Sequence, residues 1–164
     1  MTSPRHSSFP PVIGPDTRVL ILGSLPGAKS LERGRYYAHP QNRFWQLVGR
    51  VIDEDLPAMA YETRLETLLG HRVGLWDTIA SAMREGSLDA AIRKAEHNPL
   101  ADLVATLPDL TCVAFNGAAA ARIGGRLLDA SDPKLIALPS SSPAYAAMPL
   151  SEKQDRWMAL RDYL

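Results

Sequence analysis

The chain reads as an α/β protein, a three-layer α/β/α sandwich around a central four-stranded parallel sheet. Three observations predict this. Four short runs, Val19–Leu22, Val73–Trp76, Cys112–Phe115 and Leu135–Leu138, are apolar throughout, without the polar alternation of a strand that faces water on one side. Segments with apolar residues three and four apart lie between them, so strands alternate with helices. The 164 residues, 46% of them hydrophobic and 22% charged, suffice for one buried core and not for two, and exclude a disordered or disulfide-scaffold chain.

The elements follow in chain order. Residues 1–18, MTSPRHSSFPPVIGPDTR, hold four prolines and no apolar stretch, so they are expected to be a flexible arm, not a secretory signal, ahead of one domain over 19–164. The first strand, Val19–Leu22, runs into Gly23-Ser24-Leu25-Pro26-Gly27-Ala28-Lys29-Ser30. That loop nearly matches the phosphate-cradling pattern GxxxxGK[ST], but Ala28 replaces the second glycine and Pro26 removes an N–H donor. It reads either as a plain strand-to-helix connector or as a tight turn whose glycines let a ligand approach the backbone.

A helix over Asn42–Ile52 places Phe44, Leu47, Val48 and Val51 on one face, and Tyr61–Leu69 does the same with Leu65, Leu68 and Leu69. Pro99 in a first turn, with Asn98 as its cap, opens a helix through Leu107. Ala118–Leu128 and Glu152–Leu164 complete the set. Ligands of parallel sheets bind beyond the carboxyl ends of the strands, so the residues after each strand are the candidates for function.

Lys+Arg and Asp+Glu both number 18, a balance that by itself disfavours a strongly electrostatic partner. The charge is unevenly placed. Residues 1–50 hold seven basic residues against Asp16 and Glu32, a net of +5, and the rest of the chain is −5. A neutral chain with a basic first third can still present a positive face. The single cysteine, Cys112, sits in the apolar run TCVAF and is expected to be an inert core thiol. No apolar span is long enough to cross a membrane, and a cytoplasmic, reducing compartment is expected.

Gly34-Arg35-Tyr36-Tyr37-Ala38-His39-Pro40-Gln41-Asn42-Arg43-Phe44-Trp45 crowds aromatics, cations and an amide at the start of a helix. Phe44 and Trp45 are expected in the core. Tyr36 or Tyr37 beside Arg35 and Arg43 forms a stacking platform with phosphate-binding cations, the combination that grips an unstacked base. His39 reads as a hydrogen-bonding group at the helix start in preference to a general base. Asp77, after the second strand, suits a catalytic carboxylate or a helix cap equally. Asn116, after the third, suits the edge of a base or a cap for the helix that follows. The loop Pro139-Ser140-Ser141-Ser142-Pro143-Ala144-Tyr145 can lie along a phosphate backbone or be a surface turn.

GSLPG after the first strand, YAHPQNRFW at the next helix, an asparagine after the third strand and PSSSPA after the fourth together resemble the uracil-DNA glycosylase superfamily. The similarity is strongest to its hypoxanthine (deoxyinosine) branch, with mismatch-specific uracil glycosylases next. It runs from about Val19 to the end of the chain, GLWDTIASAMREGSLDAAI included.

The resemblance implies a monofunctional enzyme of base excision repair. Such an enzyme extrudes a deaminated base from double- or single-stranded DNA and hydrolyses its glycosidic bond without metal or cofactor. A monomer is expected, with no membrane partner. The family's water-positioning Asp or Asn before the motif proline is Leu25 here, and in the hypoxanthine branch that role passes to the position of Asn42. The stacking aromatic falls on Tyr37 and the base-reading amide on Asn116. Gly23, Ser24, Leu25 and His39 complete the expected substrate contacts, with backbone N–H groups of the Gly23–Leu25 turn stabilising the departing base. Lys29, Arg43, Ser140, Ser141, Ser142, Pro143 and Tyr145 are the expected DNA contacts. Tyr145 and Met148 are the candidates to wedge into the duplex. The histidine common in the second family motif is absent from PSSSPA. A lone Cys112 excludes the iron–sulfur branches.

Overall fold

In the computed structural model, residues 5–128 and 133–164 are described. The four apolar runs become β2 (Val19–Gly23), β3 (Val73–Asp77), β6 (Cys112–Asn116) and β7 (Lys134–Leu138), joined as one parallel sheet in the order β3-β2-β6-β7. Alternate side chains of each strand go to opposite faces. Val19, Ile21, Val73, Leu75, Cys112 and Ala114 enter one cluster. Leu20, Leu22, Trp76, Val113 and Phe115 enter the other. Both faces are therefore covered, which is why these strands carry no polar alternation.

The first face is covered by α2 (Phe44–Ile52), α3 (Tyr61–Gly70) and α6 (Leu150–Trp157), through Phe44, Leu47, Val48, Leu68 and Trp157. The second is covered by α4 (Leu100–Ala105) and α5 (Ala118–Leu127), through Leu100 and Ala120. Gly124 lets α5 approach the sheet, because a Cβ there would lie 2.1 Å from the Phe115 ring. The expected last helix ends at Trp157 and continues as 3₁₀ turns over Met158–Tyr163. Cys112 is fully buried.

Two features depart from expectation. Residues 5–18 are not a free arm: β1 (Arg5–Ser7) pairs with β4 (Ile79–Met83), Val12 bridges to Leu75, and Thr17 is buried. Residues 1–4 lie outside the described set. A short α1 (Ala28–Arg33) follows the first loop. A second, antiparallel sheet, β1-β4-β5 with β5 at Arg93–His97, leaves the main sheet at Thr78. The Thr78 and Ile79 N–H groups donate to the Gly23 and Ser24 carbonyls, which binds this sheet to the first loop.

Candidate active site

Register brings the carboxyl ends of the parallel strands level. Gly23 stands opposite Asp77, and Asn116 opposite Leu138. The chain leaves β2 and β6 in opposite directions along the sheet, so the loops diverge between them, as at the ligand crevices of open α/β sheets. A cavity of about 590 Å³ opens there. It gathers Gly23, Ser24, Leu25, Lys29, Tyr37, His39, Asn42, Asn116, Ser140, Ser141, Ser142, Pro143 and Tyr145, every expected contact residue except Arg43.

Tyr37 is held with unusual stiffness. Its ring stacks on Phe44 at 3.8 Å, its carbonyl accepts the Trp45 indole N–H at 3.2 Å, and its φ of 51° lies in the left-handed region that aromatics avoid. Its buried hydroxyl has no hydrogen-bond partner, and burial, with Asp77 next, raises its pKa above the usual tyrosine range. Tyr36 is not part of a stacking platform. It is core, with its hydroxyl donating to the Pro10 carbonyl.

Asn42 is half-buried at the start of α2, where its Oδ1 accepts the Phe44 N–H at 3.0 Å. That bond fixes the amide plane and leaves the Nδ2 donors and one Oδ1 lone pair unused. His39 Nδ1 accepts the Gln41 N–H at 3.1 Å, the helix-start role expected of it. Leu25 packs with Ile79 and Ala82, so its side chain brings only hydrocarbon to the cavity. The Ser24 hydroxyl is committed to Asp89 at 2.6 Å. The Ala28 N–H donates to Ser87 Oγ at 2.9 Å, which occupies one donor at the start of α1.

Asn116 is not a helix cap, since Gly117 holds that position with φ 98°. The amide instead faces Ser141: Nδ2 donates to Ser141 Oγ and Oδ1 accepts the Ser141 N–H, each at 2.9 Å. One N–H and one lone pair remain for a ligand. The Ser141 carbonyl in turn accepts the Arg43 N–H at 3.0 Å, tying the serine loop to the turn that carries Asn42. Lys153, buried and with its pKa lowered by desolvation, reaches the Ser142 carbonyl at 3.5 Å and sits 5.2 Å from the Tyr145 ring centroid.

Asp77 precedes a strand, so it caps no helix. It is 4% exposed, its Oδ2 has no partner, and it lines the cavity. Burial first, and then the charge of Asp89, raise its pKa to about 7, against a lowering pull from Arg84. Arg84 is itself buried and bonds the Gly86 and Pro26 carbonyls. The local sequence of Arg84, Leu88 and Asp89 carries no periodic signal, and only the second sheet brings Leu88 and Asp89 to the cavity and Arg84 close to Asp77. Leu88, 59% exposed, and Tyr145, 42% exposed, both border its mouth. Met148 does not line it. Among the described residues, no three His, Cys, Asp or Glu side chains converge as a metal site requires, and no helix is long and apolar enough to cross a membrane.

The sequence profile of the uracil DNA glycosylase superfamily matches residues 10–162. A hypoxanthine DNA glycosylase of Methanosarcina barkeri is 45% identical over 113 residues, 69% of this chain and 72% of that protein. One from Methanosarcina acetivorans is 43% identical over 136 residues, 83% of this chain and 85% of that one. A solution NMR structure from Methanosarcina acetivorans, described as a candidate uracil DNA glycosylase, superposes with a TM-score of 0.87 at 38% identity, covering 98% of this chain and 99% of that one. The chain belongs to the uracil DNA glycosylase superfamily.

Proposed function

We propose that this protein is a monofunctional DNA glycosylase that extrudes a deaminated base, hypoxanthine foremost, and hydrolyses its N-glycosidic bond to leave an abasic site. One observation carries the reading. The strand-end cavity joins a fixed amide at Asn42 to a buried, partly unsatisfied polar floor, Asp77 with Asn116, while Leu25 presents only hydrocarbon. The relatives at 43–45% identity, both hypoxanthine DNA glycosylases, support the same substrate.

A base must leave the stack before chemistry can reach its glycosidic bond, and a mismatched one leaves most cheaply. The extruded base lies on the ring face of Tyr37 that Phe44 does not cover. Hypoxanthine offers an acceptor, O6, beside a donor, N1–H. Neutral Asp77 donates to O6, and the free lone pair of Asn116 accepts N1–H. As the N9–C1′ bond breaks, its electron pair leaves with the purine and C1′ gains oxocarbenium character. Water oriented by the Asn42 amide adds to C1′. An amide orients water without deprotonating it, so the proton shed by the added water passes to solvent while the departing purine anion takes one up at nitrogen. Backbone N–H groups of the Gly23–Leu25 turn stabilise charge on the departing base. Lys29 and the loop Ser140, Ser141, Ser142, Pro143 and Tyr145 contact the DNA, and the enzyme acts as a monomer.

Uracil presents the same acceptor–donor pair at O4 and N3–H, so a uracil or G:U mismatch glycosylase is the second reading. The experiment is one incubation with duplexes carrying inosine, uracil, xanthine or a normal base, followed by alkaline cleavage. Cleavage fastest at inosine supports the first reading, cleavage fastest at uracil supports the second, and no abasic product from any duplex overturns both.

A further inference from the structure

We propose that a second cavity, adjoining the first, seats the DNA backbone beside the extruded nucleotide. It encloses about 410 Å³, and Tyr36, Tyr37, His39 and Asn42 line both cavities. Its walls carry four arginines, Arg33, Arg35, Arg43 and Arg64, and no carboxylate. The basic residues of the first third of the chain therefore do not encircle the base cavity evenly. Lys29 lines that one, and Arg33, Arg35 and Arg43 line its neighbour.

Two of the guanidiniums are oriented by aromatic faces. Arg35 lies 5.2 Å from the Tyr61 ring centroid and Arg64 5.3 Å from that of Trp45. Stacking of this kind holds the planar fork. Arg64 already donates Nε and Nη2 to the Met59 and Pro57 carbonyls, each at 3.1 Å, so Arg35 is the stacked fork with more N–H groups left to donate. Internal counter-charge is sparse. The Arg35–Glu62 pair is exposed and 4.0 Å long, which is worth little in water. Arg43 Nη1 donates only to Gln46, at 3.4 Å. Arg33 has no side-chain hydrogen bond or ion pair among the described residues. Four like charges gathered on a neutral chain repel one another, and an anion from outside relieves that repulsion.

A phosphodiester is the anion that fits. Guanidinium forks bind phosphate bidentately. A strand whose nucleotide lies in the first cavity leaves it over the shared Tyr36–Asn42 wall, which delivers its flanking phosphates to these arginines. This inference rests on the reading that the first cavity holds an extruded nucleotide.

The test compares wild type with Arg33→Ser/Arg35→Ser, both exposed positions, and with a control, Arg50→Ser/Arg126→Ser, exposed and outside both cavities. Binding of inosine-containing and normal duplexes is followed by fluorescence anisotropy against salt, with melting temperatures confirming folding. The first variant should lower the slope of log K against log salt by about 2 on both duplexes, and the control much less. Equal falls in the two variants, or no fall, overturn the inference. Methylphosphonates placed one at a time beside the inosine should weaken wild type severalfold at one or two positions and the variant hardly at all there. Additive losses at every position also overturn it, as does stabilisation by free inosine monophosphate that the variant loses, which would assign the cavity to a free nucleotide. Hypoxanthine release by wild type, measured in the same samples, reports separately on the enzymatic reading. Release with an unchanged slope removes the inference alone, and a localised slope change without release removes only the enzymatic reading.

Discussion

Asn116 and Ser141 hold each other through a closed pair of hydrogen bonds, the Ser141 N–H to Oδ1 and Nδ2 to Ser141 Oγ, both 2.9 Å. The end of β6 is thereby locked to the serine loop after β7, and the Ser141 carbonyl extends the lock to the Arg43 N–H. Asn42 is thus one residue from a point fixed by Asn116. Asn116→Ala leaves the buried Ser141 N–H and hydroxyl unpaired, and should cost about 1–3 kcal/mol of stability. It should also slow hypoxanthine release. Ser141→Ala keeps the Oδ1 bond and should cost less on both counts. Urea denaturation beside single-turnover excision measures the difference.

Asn42 has two separable duties. Its Oδ1 accepts the Phe44 N–H two residues on, a turn leading into α2 that a serine hydroxyl also makes. Asn42→Ser should therefore fold with near wild-type stability yet lose excision, because the shorter hydroxyl cannot hold water where the amide does. Asn42→Ala should lose both, with about 1 kcal/mol of stability. Binding to inosine DNA should survive in each variant. Excision near the wild-type rate in Asn42→Ser would remove Asn42 from the chemistry.

Asp77 makes stability depend on pH in a direction set by its raised pKa. The unfolded carboxyl ionises near the ordinary aspartate value of 3.8, but the buried one keeps its proton to about 7. Between those values the native state binds more protons than the unfolded state, so stability falls as pH rises through this window. Asp77→Asn keeps the shape without the charge. It should be more stable than wild type at pH 8 by a few kcal/mol, and close to it at pH 4. Denaturant midpoints at the two pH values check this. Wild-type excision should also decline above about pH 7, as the donor to O6 is lost.

Leu88 and Tyr145 are large, exposed and at the cavity mouth, where an apolar side chain can fill the gap an extruded base leaves. Leu88→Ala should leave the melting temperature unchanged. It should lower excision from duplex DNA more than from single strands, where no stack has to be opened. Equal losses on both substrates would rule out the wedge role.

The main sheet was legible because strands buried on both faces need continuous apolar runs, and the four runs differ from the observed strands by one residue at an end. The Phe44 and Trp45 core, the helix-start role of His39 and the convergence of the strand-end loops were legible for related reasons: each follows from local spacing or parallel-sheet topology. The second sheet was not. Arg5–Ser7 pairs with residues some 76 positions away, and Arg93–His97 is largely exposed and polar, so neither carries a local apolar pattern.

Sequence by itself determined the fold class, the family and the loops that meet at the strand ends, since these rest on patterns within a few residues. Only the tertiary structure decided what each polar group does once it arrives. It turned Asn116 toward Ser141, gathered Arg33, Arg35 and Arg43 at the second cavity while leaving Lys29 at the first, and buried Asp77 beside Asp89 and Arg84 from the segment between β4 and β5. Hydrogen-bond partners and dielectric surroundings depend on which distant segments pack together. A carboxylate at a strand end becomes a proton-holding acid only when that packing excludes water.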